Sequence, residues 1–433
     1  MALGSKMDPF SKLPSLILLT IVKLLPDLAS LRHLDRASPV IASLFNDYGP
    51  EITEAVMSTS LPEAIQVLIR SIVIIRSKSI PSRSLDDFKE EFLFRDKPCL
   101  DYGNGNECIL RLFPDPKTRG CQTCGICGFI PRHSEIKWLT HPSILRSILD
   151  SAVQVQQLTF SCLQKMIDRC LALRPSHLLD PRFIYRERPN YRSKCPQRRP
   201  EGRPYTPRDS GPPTWVEIQR VSRAMWRIQL FLDLKTGALD SNLGWLHDDA
   251  TRLQSTSIEE FWSPYGSDRL EQLRTVVEYL QELETHDGII PGTLHRLPTI
   301  TTEAKAQWPQ RSANDILAFE DVYAAKGFHF SQRPEHGRES ALKGVDFGLY
   351  RRFGFYIWEQ ERMVGLGFLN PSSSTGPEAE DPNSYMTRYN LWFTWESILS
   401  ADLIEQRECQ RLSDFPEGRT FGFSKYATYW ANW

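Results

Sequence analysis

The chain has 433 residues, and its 52 Lys and Arg against 53 Asp and Glu give a formal net charge of −1. With 41% hydrophobic and 24% charged residues, the composition is that of an ordinary globular protein. It excludes a wholly disordered chain, a collagen, a coiled-coil rod, a small disulfide scaffold and a uniformly basic nucleic-acid coat. The length predicts about three domains, or one large domain with a smaller module.

The first predicted helix follows Pro14, which fits a first helical turn because that turn needs no amide donor. At 100° per residue, Ser15, Thr20 and Lys23 form its polar sector. Seven apolar residues between Ile17 and Leu25 cover an arc of about 220°. A helix with one buried side needs an apolar stripe of only about 100°. This helix therefore has two apolar sides, and the second needs a partner or the rest of the chain.

Two further helices are predicted before residue 50. Asp27 caps the first, with Leu28, Leu31 and Leu34 on one side, and Ser38-Pro39 opens the next, with an end near Gly49. A three-helix unit of about 40 residues is too small to bury a core comfortably alone.

These signals together resemble an F-box. The resemblance covers about 8–48 and rests on Leu13-Pro14, the apolar helix, Asp27-Leu28 followed by Leu31, and Ala37-Ser38 before Phe45. The stretch continuing to Val56 is similar to the F-box proteins common in filamentous fungi. Weaker similarities to that group lie at 223–230 and 354–358.

The resemblance implies a substrate receptor without catalytic activity or a required cofactor. Such proteins dock on a Skp-family adaptor of a cullin-RING (SCF) ubiquitin ligase, and the remaining chain captures the protein to be ubiquitinated. The adaptor interface would be formed or supported by Leu13, Pro14, Leu16, Ile17, Ile21, Leu25 and Leu31. The expected division is a module at 1–58 and an interaction region at 59–433. In the alternative, the first helix packs in its own core and the chain is a free-standing protein-interaction or nucleic-acid-contacting protein.

The rest of the chain is predicted to be mostly α, as a large irregular helical domain without repeats. One helix is expected from the Ser60–Glu63 capping box to Arg76, and another from the Thr214–Glu217 capping box to Gly237. Two more should run from Ser267 to Gly288 and from Asn314 to a point before Gly327, and a last one should begin at Ser400. Between Arg351 and Leu369, any long helix should be interrupted by Gly354, Gly365 and Gly367.

The nine cysteines include Cys121, Cys124 and Cys127, spaced as in a metal knuckle. A structural zinc ion needs four ligands, and the fourth would come from Cys99, Cys108, His133 or His141. The alternative is a tight turn with buried, inert thiols.

The segment 181–213 contains eight prolines and is predicted to be an unpacked loop. Within it, residues 182–208 carry a charge of +7, including Arg186, Arg188, Arg192, Lys194, Arg198, Arg199 and Arg203. Such a basic patch is typical of a solvated linker, of nucleic-acid contact or of a nuclear address.

A minor enzymatic hypothesis starts from His247 and Asp249, which have the spacing of a non-haem iron site that His295 or His329 would complete. Its alternative is a loop or cap role for Asp248 and Asp249.

Because no apolar run reaches the length of about 18 residues that a membrane span needs, no membrane partner is expected. Asp8, Pro14 and Lys23 argue against a signal peptide, so the expected location is the cytosol or nucleus.

Overall fold

The fold was analysed in a computed structural model, and it is mostly helical, which confirms the predicted class. The structure describes 8–93, 136, 140–179, 201–263, 267–286, 297–300, 309, 312, 315–320, 347–369 and 393–404. The chain divides into two compact units. The first comprises Met1–Asp168, Gly211–Lys326 and Arg351–Glu359, and the second comprises Arg169–Ser210, Gly327–Tyr350 and Gln360–Trp433.

The described helices follow one another with few strands between them. A 3-10 turn at Pro9–Lys12 precedes α1 (Ser15–Lys23), α2 (Leu28–Ala37), α3 (Pro39–Ser60), α4 (Glu63–Arg76) and α5 (Leu85–Phe88), which runs into a π turn at Lys89–Leu93. Next come α6 (Pro142–Ala172), β1 (Ser176–Leu178), β2 (Gly202–Pro204), α7 (Trp215–Leu239), α8 (His247–Ser255), α9 (Ile258–Trp262), α10 (Ser267–His286), α11 (Asp315–Glu320), α12 (Gly348–Arg351) and α13 (Gln360–Gly365).

Helix α7 is the centre of the first unit. It begins with the predicted capping box, in which the Thr214 hydroxyl accepts from the Glu217 amide while the Glu217 carboxylate accepts from the Thr214 amide. It packs against α4, α8, α10 and α11, so that even polar residues such as Arg220 are buried in it. The Arg220 guanidinium donates to the Ile357 carbonyl at 2.8 Å. A helix covered on all sides must satisfy its polar groups inside the protein.

The predicted helix end near Gly49 is confirmed as a break within α3, because Tyr48 has non-helical backbone angles (φ −122°, ψ 17°) and Pro50 follows it. At Gly237 the predicted end was wrong, since α7 continues to Leu239. A Cβ at Gly49 would lie 2.9 Å from a methyl of Leu145, and one at Gly237 would lie 2.6 Å from a methyl of Leu243, so a neighbouring side chain packs closely on each glycine.

The predicted Ser60–Glu63 capping box does not form either. The N-cap of α4 is Pro62, without a side-chain hydrogen bond, and the Ser60 hydroxyl donates instead to the Val56 carbonyl at 2.6 Å. Ser60 is the last residue of α3, so its side chain bonds backward along that helix. The helix itself ends at Arg76, as predicted.

In the second unit, part of the proline-rich segment is ordered, which corrects the prediction of an unpacked loop. Strand β2 pairs antiparallel with β1, and the Tyr205 hydroxyl donates to the Gly367 carbonyl at 2.8 Å. The Tyr205 ring stacks on His177 with centroids 4.1 Å apart. Proline is tolerated here because β1 and β2 form a two-stranded sheet, in which both strands are edges. Residues 180–200 lie outside the described residues.

The predicted interruption of helices near residue 360 is confirmed. Gly354 and Gly367 have φ values of +73° and +79°, in the left-handed region that favours glycine, and the described backbone there consists of short helices and turns. Among the described residues, none of the helices combines the length and the apolar character that crossing a bilayer requires.

Gly354 provides a stability test with a matched control. A Cβ there would lie 2.9 Å from both the Met166 sulfur and the Trp358 ring, whereas a Cβ at Gly244, with φ of +69°, would meet nothing within 4 Å. Gly244→Ala should therefore cost only the left-handed backbone conformation, about 1–2 kcal/mol. Gly354→Ala should add a steric term of about 1–3 kcal/mol. Urea unfolding of both variants measures the difference, and equal losses would contradict the tight packing at Gly354.

Candidate functional site

The segment that carries α1 is fastened to the start of α3 by Asp8. One carboxylate oxygen of Asp8 accepts from the Phe10 amide at 2.9 Å and caps the 3-10 turn. The other accepts from the Ser38 hydroxyl at 2.6 Å and from the Val40 amide at 3.3 Å. The hydrogen bond from Ser38 is the largest cause that lowers the pKa of Asp8. Ser38 in turn caps α3 by accepting from the Ile41 amide.

The inner side of α1 packs within the first unit. Leu18 and Val22 are buried, and α1 contacts α3. At the end of the helix, Lys23 forms an ion pair with Glu51 of α3. These contacts use one of the two apolar sides that the sequence predicts for this helix.

The other side of α1 is exposed and apolar. Its large side chains are Leu16 (73% exposed), Ile17 (48%), Ile21 (39%) and Leu24 (74%), and Leu13 (40%) lies just before the helix with extended backbone. At 100° per residue the four side chains from Leu16 to Leu24 span an arc of about 140°. We call the surface formed by all five side chains the outer face of α1. Thr20 lies within the arc, and its hydroxyl donates to the Leu16 carbonyl at 2.9 Å. An exposed apolar patch on a folded protein is a candidate interaction site.

The residues predicted for the adaptor interface divide into three groups. Leu13, Leu16, Ile17 and Ile21 lie on the outer face, and Pro14 is the exposed N-cap of α1. Leu25 is partly buried. Leu31 is fully buried in the core, so it is not a surface residue and can only support the interface.

Leu24 was missed by the sequence prediction. It is 74% exposed and lies at the C-cap of α1. Its position seven residues after Ile17 places it on the same side of the helix, two turns further along. That spacing was the signal that could have identified it.

Ion pairs fasten α2 to α6, and side-chain packing joins α3 to the same helix. Arg32 of α2 donates two hydrogen bonds of 2.8 Å to Asp150 of α6, and Arg146 of α6 pairs with Asp35 of α2 at 3.1 Å. The Asp35 side chain is almost completely buried and also accepts from Arg32 at 2.6 Å. Leu145 packs against Gly49 of α3. The helices that support the outer face are therefore part of a larger packed body.

The predicted zinc ligands Cys121, Cys124 and Cys127 lie outside the described residues, as do Cys99, Cys108 and His133. His141 is described and lies just before α6. Its Nδ1 is 2.7 Å from the hydroxyl of Ser143, in the first turn of that helix. The described ranges contain no cluster of three or more metal-ligating side chains.

Of the predicted basic patch, the structure describes Arg203. It is exposed on β2, opposite His177 in the antiparallel ladder. Arg186, Arg188, Arg192, Lys194, Arg198 and Arg199 lie outside the described residues.

His247 and Asp249 lie in the first turn of α8. Asp249 accepts from Arg252 at 2.9 Å, and acidic residues at this end of a helix interact favourably with its dipole. The loop or cap role expected for Asp248 and Asp249 is not found, because both lie within the helix and its N-cap is Leu246, without a side-chain hydrogen bond. His295 and His329 lie outside the described residues.

Comparisons of the chain with protein-family models, with curated proteins and with solved structures find no match.

The two sides of α1 can be distinguished by stability measurements on adjacent residues. Leu18→Ala should lower the free energy of unfolding by about 2–5 kcal/mol, because it empties a buried site. Ile17→Ala should change it by no more than about 0.5 kcal/mol, because Ile17 is on the exposed side. Chemical denaturation checks both values, and a large loss for Ile17→Ala would show that the outer face is covered in the free protein.

The attachment of α1 through Asp8 should depend on pH. The pKa of Asp8 is lowered from its ordinary value of 3.8, so its contribution is complete above that value and is lost as the pH falls through the lower folded pKa. Hydrogen exchange of 8–24 should therefore be slower in the unmodified protein than in Asp8→Asn at pH 6. The two proteins should converge under strongly acidic conditions. A difference that is independent of pH would contradict the carboxylate's role.

Proposed function

We propose that this protein is an F-box-type substrate receptor that docks through the outer face of α1 on a Skp-family adaptor of a cullin-RING ubiquitin ligase. In this proposal the chain performs no catalysis, and the part after the first three helices captures the protein to be ubiquitinated. The observation that carries the proposal is the exposed apolar side of a helix whose opposite side, at Leu18 and Val22, is buried.

Two features of the segment that carries α1 support this function. The first is the resemblance of about 8–48 to an F-box, which rests on the order of the apolar, Pro and Asp/Ser positions. The second is the geometry of the outer face, where aliphatic side chains are displayed together on one short helix. Burying such side chains in a partner is the usual origin of interface hot spots. The resemblance suggests the partner, and the exposure of these side chains supports α1 as the docking helix.

The magnitude of the apolar contribution limits what the outer face does alone. Complete burial of an aliphatic side chain is worth about 1.5–3 kcal/mol, and these five are already partly covered, so their sum is roughly 4–8 kcal/mol. Association costs roughly 4–15 kcal/mol in lost freedom and ordering. Docking therefore needs further contacts from residues beside α1. It also needs these residues to be held in place before binding, so that little free energy is lost in ordering them.

The alternative function, a free-standing helical protein with α1 in its own core, differs in one respect. It requires the large aliphatic residues of α1 to be covered by the chain itself. Leu16 and Leu24 remain 73% and 74% exposed, which favours a docking helix. Nucleic-acid contact and iron-dependent catalysis stay hypotheses from the sequence.

The proposal is tested by co-expressing the full chain with a Skp-family adaptor. The full chain is the appropriate protein because α3 packs on α4 and contacts α6. Ile17→Asp combined with Ile21→Asp should reduce co-purification of the adaptor at least about tenfold, because two charges would enter an apolar interface. The matched control is Leu239→Asp, which changes a leucine that is 70% exposed at the end of α7.

The control variant should bind the adaptor as the unmodified chain does. Circular dichroism and thermal unfolding confirm that all variants are folded. Absence of adaptor binding by the unmodified chain, or full binding by the double variant, would contradict the proposed function.

A further inference from the structure

The ribbon of β1 and β2 in the second unit has one packed side and one exposed side. Side chains alternate along a strand, and on β1 Leu178 is buried while His177 beside it is exposed. On β2, a Cβ at Gly202 would collide with the ring of Phe393, which is itself buried. The ribbon therefore packs on its unit through the side that carries Leu178 and Gly202, and His177 lies on the opposite side.

The exposed side carries a flat aromatic surface that is held in place. The rings of His177 and Tyr205 are stacked, with centroids 4.1 Å apart and planes inclined by 4°. The Tyr205 hydroxyl donates to the Gly367 carbonyl at 2.8 Å, and Nδ1 of His177 lies 3.2 Å from the Thr394 hydroxyl. These contacts use one face and one edge of the imidazole ring, whereas the residue as a whole remains exposed. The second face of the His177 ring is therefore the plane that an incoming flat group meets.

A cation lies beside this plane. His177 and Arg203 are direct partners in the antiparallel register, so their side chains project from the same side of the ribbon, and Arg203 is also exposed. We call His177, Arg203 and Tyr205 the ribbon platform. Proteins bind single-stranded nucleic acid with this combination, in which aromatic rings stack on bases and cations follow the phosphates.

The part of the chain that joins the two strands is strongly basic. The Leu179 amide donates to the Glu201 carbonyl at 2.9 Å, so the connection 180–200 begins and ends at the same end of the ribbon. Its sequence contains seven Arg and Lys residues against Asp180 and Glu187. This excess outweighs the exposed carboxylate of Glu201, and it favours a polyanion as the partner.

The partner must combine flat rings with a regular negative charge. An acidic peptide offers the charge with few rings, whereas a single nucleic-acid strand offers a base and a phosphate in every unit. We propose that the ribbon platform binds single-stranded DNA or RNA, with one base stacked on the exposed face of His177 and a neighbouring phosphate paired with Arg203. The inference goes beyond the proposed function, because the platform belongs to the second unit and α1 to the first.

The test is fluorescence anisotropy of labelled oligo(dT) and oligo(U), each of about 16 nucleotides, titrated with the full chain. His177→Ala should weaken binding about five- to hundredfold, because one base loses its stacking surface. His177→Phe should retain binding, because its ring presents a similar plane. The matched control is His33→Ala, which changes an exposed histidine of α2 and should leave the affinity unchanged.

Arg203→Gln measures the phosphate contact separately. It should reduce the slope of log affinity against log salt concentration by about 0.7, the value for one phosphate of a single strand. An unchanged slope would contradict the contact with Arg203.

Two outcomes would overturn the proposal directly: no binding of either oligonucleotide by the unmodified chain, or equal binding by His177→Ala. Thermal unfolding shows which variants are folded. Competition with poly-glutamate provides a test that needs no variant, because this polymer carries charge without bases. It should displace the oligonucleotides poorly at equal charge concentration. Equal displacement would show attraction by charge alone and would overturn base stacking even if His177→Ala does not fold.

Discussion

The organisation of the N-terminal region depends on one imbalance: α1 carries more apolar surface than its own fold covers. A nine-residue helix needs only a few buried side chains to hold its place, and Leu18 and Val22 provide them. The exposed parts of the remaining aliphatic side chains add nothing to folding, and they increase the risk of aggregation. Their presence on a folded protein is explained if a partner covers them, which is the basis of the proposed function.

The exposed face is useful only if the helix behind it keeps a fixed position. Asp8 joins the start of the segment to Ser38, and Lys23 joins its end to Glu51. The buried Asp35 carboxylate, held by arginines of α2 and α6, extends this attachment into the larger unit. Removing one partner of a buried ion pair of this kind is strongly destabilising, because it leaves an uncompensated buried charge. The outer face of α1 is therefore held on the packed helices of the first unit.

The sequence correctly predicted structural features that depend only on residues close together in the chain. The Thr214 capping box and the glycines at 354 and 367 act within one turn of chain, and the structure confirms them. The predicted end at Gly237 was wrong, because α7 continues for two more residues and Leu243 packs against this glycine. The helical pattern also predicted two apolar sides of α1. It could not show that Leu31 of α2 is buried in the core, because that depends on how the helices pack together.

The most direct measurement of the central claim is hydroxyl-radical footprinting of the full chain with and without a Skp-family adaptor. Leucine and isoleucine side chains report their own exposure, so the outer face can be followed residue by residue. The account predicts that Leu16, Ile17 and Leu24 lose reactivity when the adaptor is added, while Leu239 keeps its reactivity. Unchanged reactivity of the α1 residues in a sample where the adaptor is bound would contradict it.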